Sequence, residues 1–159
     1  MELQRWLEYL HLLFAFVFVS ATLAFHWNLV AARRVKSWAE RACLLETNRR
    51  LSLAYALPSL IGVGAVGNVL AARLGYEIGR MRPLQIVTAL WIVAIIVSVT
   101  LEVPLAARLA GMARAAANGG GNGEPVEWSP TLARCRTGST IQLLLFLVLL
   151  GFMVAVWKP

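Results

Sequence analysis

Between Leu10 and Val30 the chain reads LHLLFAFVFVSATLAFHWNLV, twenty-one residues without an obligatory charge, and Ala31-Ala32-Arg33-Arg34-Val35-Lys36 follows at once. At about 1.5 Å of rise per residue, such a helix is long enough to cross a hydrocarbon core of about 30 Å. It reads as a membrane span. Both histidines of the chain, His11 and His26, lie within it, so any cofactor or proton chemistry that uses imidazole passes through this helix. Glu2 and Glu8 make a poor basic n-region, and the apolar run is too long for a signal peptide, so the segment is expected to be retained.

The rest of the chain is built the same way. Hydrophobic residues make up 59% and charged residues 14%, the latter well below the usual share of about 25% in soluble domains. Further apolar segments place spans at about 51–72, 84–107 and 139–157, joined by basic loops at 31–50 and 108–138. The expected fold is all-α: one transmembrane four-helix bundle over residues 1–159, with no room for a soluble catalytic domain. The net charge of +7 would suit nucleic acid on a soluble protein, but here the basic residues sort by loop. Arg33, Arg34, Lys36, Arg41, Arg49 and Arg50 follow span one, and Arg108, Arg114, Arg134 and Arg136 follow span three. The opposite side has only Arg5, Arg73, Arg80, Arg82 and Lys158. The positive-inside rule then puts both termini outside the cytoplasm, with membrane lipids, not nucleic acid, as the surroundings.

Local signals refine this picture. Gly62-Val63-Gly64-Ala65-Val66-Gly67 matches GxGxxG, but it lies inside an apolar segment and not in a strand–turn–helix unit. It reads as a small-residue face for close helix packing, with Pro58 kinking the same helix. No Pro or Gly interrupts 31–50, so the first helix is expected to run on past the bilayer, with Trp38, Cys43, Leu44 and Leu45 as a surface-lying or partner-facing stripe. The run from Asn118 to Gly123 makes the long loop flexible at its centre. Cys43 and Cys135 show no metal or redox spacing and read as free thiols.

Polar residues within the spans sort into two layers. An outer one holds His11, Asn68, Gln85, Thr88 and Met153 with Trp91 and Trp157; an inner one holds Tyr55, His26, Asn28, Glu102 and Gln142. Such groups face the bundle interior or one another, which makes each layer a candidate site. His11 and His26 share a helix face but stand about 22 Å apart along it, so they cannot ligate one metal. Each is a candidate haem b ligand, with Met153 or a histidine of another chain as the second axial group for His11. The alternative is a pair of histidines hydrogen-bonded between helices. Glu102 is a proton-relay candidate at the depth of His26; its alternative is a snorkelling carboxylate paired with a loop arginine such as Arg108. No nucleophile–base constellation is present, so no catalytic residue is assigned.

The Tyr9-Leu-His11-Leu-Leu opening, the basic loop, Pro58 with Gly62, and the tail Met153-Val-Ala-Val-Trp-Lys158-Pro159 together resemble a family of bacterial integral membrane proteins of unknown function. That family looks distantly similar to the copper-resistance D-like and protoporphyrinogen-oxidase-like four-helix bundles. The resemblance implies the bacterial inner membrane, and it matches His11 to a first-span histidine associated with haem. The lysine it implies in the third span is absent from Leu84 to Leu101, which argues against porphyrinogen oxidation. Four methionines without a cluster argue against copper handling. The expected function is that of a non-enzymatic accessory or structural subunit of a larger bacterial membrane complex. The alternatives are a haem b redox protein using His11 and a small transporter using His26 and Glu102.

Overall fold

The computed structural model describes residues 2–77, 79–119 and 124–156, with side chains as far as Phe152, and every regular element among them is helical. Helix α1 covers Glu2–Arg34. A second rod joins α2 (Trp38–Leu51), a widened turn π1 (Ser52–Ala56) and α3 (Leu57–Arg73). A third joins α4 (Arg82–Val97), π2 (Ser98–Glu102) and α5 (Val103–Asn118), and α6 covers Trp128–Val156. All four rods are long and apolar enough to cross a membrane.

They are also longer than a membrane requires. The second and third rods have 36 and 37 residues, over 50 Å at about 1.5 Å each, against a hydrocarbon core of about 30 Å. The excess lies at the end rich in arginine. Most of 31–50 and 108–138, expected as loops, is therefore helix. Within 31–50 the chain breaks at Val35–Ser37, so the first helix ends at Arg34 and does not run on as expected: Ser37 is extended (φ −78°, ψ 131°) and the Arg41 guanidinium caps the Val35 carbonyl at 3.1 Å. Alanine-rich sequence carries α5 onward, because alanine loses least on entering a helix.

Two cores result. The larger one belongs to the arginine-rich head: Phe25, Leu29 and Ala32 of α1, Leu45 of α2, Leu109, Ala110 and Ala113 of α5, and Trp128 and Leu132 of α6 are all buried together. Trp38 meets Trp128 edge-on at 4.9 Å, and the Arg41 guanidinium lies over the Trp38 ring at 4.4 Å. The stripe expected to face a lipid surface or a partner is thus largely used within the chain: Leu45 is fully buried, Trp38 and Leu44 pack against the core, and only Cys43 stays exposed. A smaller core of Phe18, Leu60 and Ala94, flanked by Leu145 and Phe146, lies in the apolar half.

The widened turns follow from the two prolines. Pro58 and Pro104 lack an N–H and press on the carbonyl one turn back. The residue before each ring donates five residues back instead, Leu57 to the Ser52 carbonyl and Val103 to that of Ser98. This has a consequence for side-chain direction. Ala94, Ser98, Glu102 and Ala106 are all buried at four-residue spacing. In a regular helix each such step over-rotates by about 40°, and three would turn Ala106 about 120° off the inner face. The wider turn absorbs that drift.

Small residues set the helix spacing elsewhere. A Cβ added at Gly62 would stand 2.9 Å from the Phe14 ring, one at Gly67 2.9 Å from His11 Cε1, and one at Gly64 would overlap Trp91. The GxGxxG segment is a packing surface.

Candidate functional site

Helix register brings polar residues from all four rods to one depth, where the head meets the apolar half. Leu101 and Glu102 lie against Gly138, and Ala94 shares the smaller core with Phe146, so Ser98 lies opposite Gln142 between the third rod and α6. On the other side, Asn48 Nδ2 donates to the Phe25 carbonyl at 3.0 Å and Asn28 Nδ2 donates to Asn48 Oδ1 at 2.9 Å, which sets Thr22 near the level of Ser52. The outcome is a double layer: Thr22, Ser52, Ser98 and Gln142 above, and His26, Asn48, Glu102 and Ser139 below. Of these eight residues only His26 is not classed as buried. Both widened turns lie in this layer, since Ser52 opens π1 while Ser98 opens and Glu102 closes π2.

Several members satisfy one another. Ser98 Oγ donates to Glu102 Oε2 at 3.2 Å, Thr22 Oγ1 donates to the Phe18 carbonyl at 2.8 Å, and His26 Nδ1 is 3.2 Å from Ser139 Oγ. Others are left over. Glu102, only 6% exposed, has no partner for Oε1, and Gln142, at 0%, has none for either Oε1 or Nε2. An unpartnered buried polar group costs on the order of 1–3 kcal/mol, more when charged, so two such side chains in one layer call for a ligand or a function.

The other residues singled out in the sequence are arranged differently. His11 sits between α1 and α3, with Nδ1 2.9 Å from the Val63 carbonyl and its ring against Gly67. Asn68 donates to the Gly64 carbonyl at 2.9 Å, Thr88 reaches Asn68 Oδ1 at 3.4 Å, and Trp91 Nε1 donates to the Leu60 carbonyl at 2.7 Å. Gln85, in the first turn of α4, turns its side chain back to the preceding loop, where Nε2 donates to the Gly79 carbonyl at 2.7 Å. Tyr55 is 54% exposed on the outer face of π1 and does not join the inner layer. The side chains of Met153 and Trp157 lie outside the described residues. Glu102 is not snorkelling toward Arg108: its bonded partner is Ser98, within the same rod.

Both histidines have hydrogen-bond partners within the chain. His11 bonds the Val63 carbonyl and packs against Gly67. His26 faces Ser139. Two shallow surface grooves, one lined by Glu2, Arg5, Trp6 and Tyr9 and one by Phe16, Ser20, Leu51 and Tyr55 among others, contain neither histidine. Among the described residues no three His, Cys, Asp or Glu side chains converge as metal ligands.

At the head, outside the membrane-spanning segments, Glu46 of α2 is the main charged junction. Arg49 Nη2 lies 2.8 Å from Glu46 Oε1, Arg50 Nε lies 3.3 Å from the same atom, and Arg114 of α5 bonds Glu46 Oε2. The hydrogen bond from Arg49 is the largest influence; it outweighs an upward pull from desolvation and, with the Arg50 bond and the charges of Arg49 and Arg114, holds the carboxyl at about 2. It ties α2 to α5 across the head.

Sequence reading placed His26, Glu102 and Gln142 at a common depth but missed Ser98, Ser139, Asn48 and Ser52 as members of the same layer. The four-residue spacing of Ala94, Ser98, Glu102 and Ala106, read together with Pro104, was the signal that would have found the Ser98 side of it. Comparisons with protein-family models, with curated proteins and with solved structures found no match to this chain.

Proposed function

We propose that this chain is a non-enzymatic subunit of a larger bacterial inner-membrane assembly, crossing the membrane four times with both termini outside the cytoplasm and its arginine-rich head inside. One observation carries the reading. The larger of its two cores extends past the apolar runs, where Leu45, Leu109, Ala113 and Trp128 are buried as in a water-soluble bundle. A protein that only needed to sit in lipid has no use for this head. A rigid, charged platform standing about 20 Å clear of the bilayer suits attachment to a neighbouring subunit. The exposed Arg33, Arg34, Arg108 and Arg134 give it a surface for an acidic partner or for anionic headgroups.

Extraction in mild detergent, followed by mass analysis of what co-purifies, tests this. Stoichiometric neighbours that are lost when Arg33 and Arg34 are both changed to Glu support the reading. A lone, folded monomer at native expression level overturns it. The same preparation decides the haem alternative, for which the geometry offers no support: a Soret band abolished by His11→Ala in a folded protein would restore it.

A further inference from the structure

The double layer contains two side chains whose polar atoms are buried and face no protein partner, and their chemistry restricts what can satisfy them. Glu102 Oε1 offers an acceptor, or a donor when protonated; Gln142 offers one acceptor and two N–H donors. A bare cation would use the oxygens and leave the amide N–H groups stranded in a low-dielectric interior. A water molecule uses both kinds, accepting from Nε2 and donating to the carboxylate, and water is the usual occupant of polar buried sites with two to four partners.

We infer that one or more buried waters bridge Glu102 to Gln142 and that this bridged carboxyl is a proton-exchange site, connected through Ser139 to His26. The register supplies the connection. Gly138, against Glu102, and Ser139, against His26, are adjacent on α6, and Gln142 follows one turn further on. His26 is only half-buried, so it opens this chain of polar groups toward the outside of the bundle. The π2 turn aims Glu102 at α6, and Ser98 holds Oε2 so that Oε1 is left for the bridge. Widened turns of this kind recur at functional sites because they redirect one side chain without ending the helix.

The groups facing this carboxyl are few. At this level α1 brings His26, and α6 brings Cys135 and Arg136, whose buried Nε is likewise without a protein partner; α2 and π1 bring only the neutral Asn48 and Ser52. No arginine bonds Glu102, so no fixed ion pair holds it in the charged form. This goes beyond a structural role for the bundle and does not depend on it.

The test is infrared difference spectroscopy after a pH step, on the full chain in liposomes. The expected result is a single buried carboxyl C=O band that disappears in Glu102→Gln and shifts, without disappearing, in Glu102→Asp. A bound-water O–H stretch should move in heavy-oxygen water and vanish in Gln142→Leu. Deuterium uptake by the carboxyl should slow in Ser139→Ala. A carboxyl band without the water stretch would mean that the amide bonds Glu102 directly, which overturns the bridge. A folded protein, checked by its thermal transition, that shows no titrating carboxyl band overturns the exchange site.

Discussion

The indole of Trp91 lies across the bare Cα of Gly64 and is pinned there by its Nε1–H bond to the Leu60 carbonyl, one turn away at 2.7 Å. A methyl group at position 64 has nowhere to go, because the ring it meets is flat, bulky and anchored. Gly64→Ala is expected to cost about 1–3 kcal/mol of stability, read from denaturant unfolding in detergent micelles. Gly111 is the control: it is helical, and an added Cβ would meet nothing within 4 Å. There Gly→Ala should stabilise by about 0.5–1 kcal/mol. Equal behaviour of the two variants would mean that α3 and α4 do not pack face to face as described.

Glu46 makes the head sensitive to acid. Its carboxyl is held at about 2 in the folded protein against 4.5 for an unperturbed glutamate, so it binds protons more weakly folded than unfolded. A depressed carboxylate stabilises the fold above its unfolded value, and that contribution fades as pH falls from about 4.5 toward about 2. Protection of α2 and α5 amides, taken relative to the intrinsic exchange rate at each pH, should therefore fall across this window in the wild type. In Glu46→Gln the protection should be lower at neutral pH and nearly constant through the same range. An unchanged profile in the variant would dismiss Glu46 as the source.

The two thiols report topology and packing in one experiment. Cys43 is exposed on α2, and Cys135 is buried in α6 against the head core. A membrane-impermeant maleimide should modify Cys43 rapidly in inverted vesicles and not in intact spheroplasts, while Cys135 should react only after denaturation. Labelling of Cys43 from the outside would reverse the proposed orientation. Reaction of native Cys135 would mean that the core around Trp128 and Leu132 is open.

Much of this fold was legible in the chain. Apolar run length alone located four membrane-competent helices, and the glycines of the second were readable as packing positions because an apolar 22-mer excludes the strand–turn–helix setting of a nucleotide loop. The head was not legible. Arg41, Glu46 and Arg49 make α2 look like a solvated connector, and only the burial of Leu45 in one core with residues of α1, α5 and α6 shows that one side of it is core. The layer was half legible, since Glu102 and His26 announce themselves as costly residues in a span. Ser98, Ser139 and Asn48 do not, because a serine or asparagine in an apolar helix is common and its partner depends on a register that no single helix encodes. Tyr55 was misplaced because depth can be counted along a sequence, whereas the face presented beside a proline-widened turn cannot.

The two prolines give the molecule a joint. Each of the second and third rods is two stiff cylinders coupled through a turn with lengthened bonding, at Ser52–Ala56 and at Ser98–Glu102, and the two cores lie on opposite sides of that level. These two rods yield first at their widened turns, while α1 and α6 run unbroken through the same level and tie the two cores together. Glu102, Ser98 and Ser52 sit on the pivot itself. Any lateral force on the head is therefore felt first, as a change of distance and angle, at the one buried carboxyl between them.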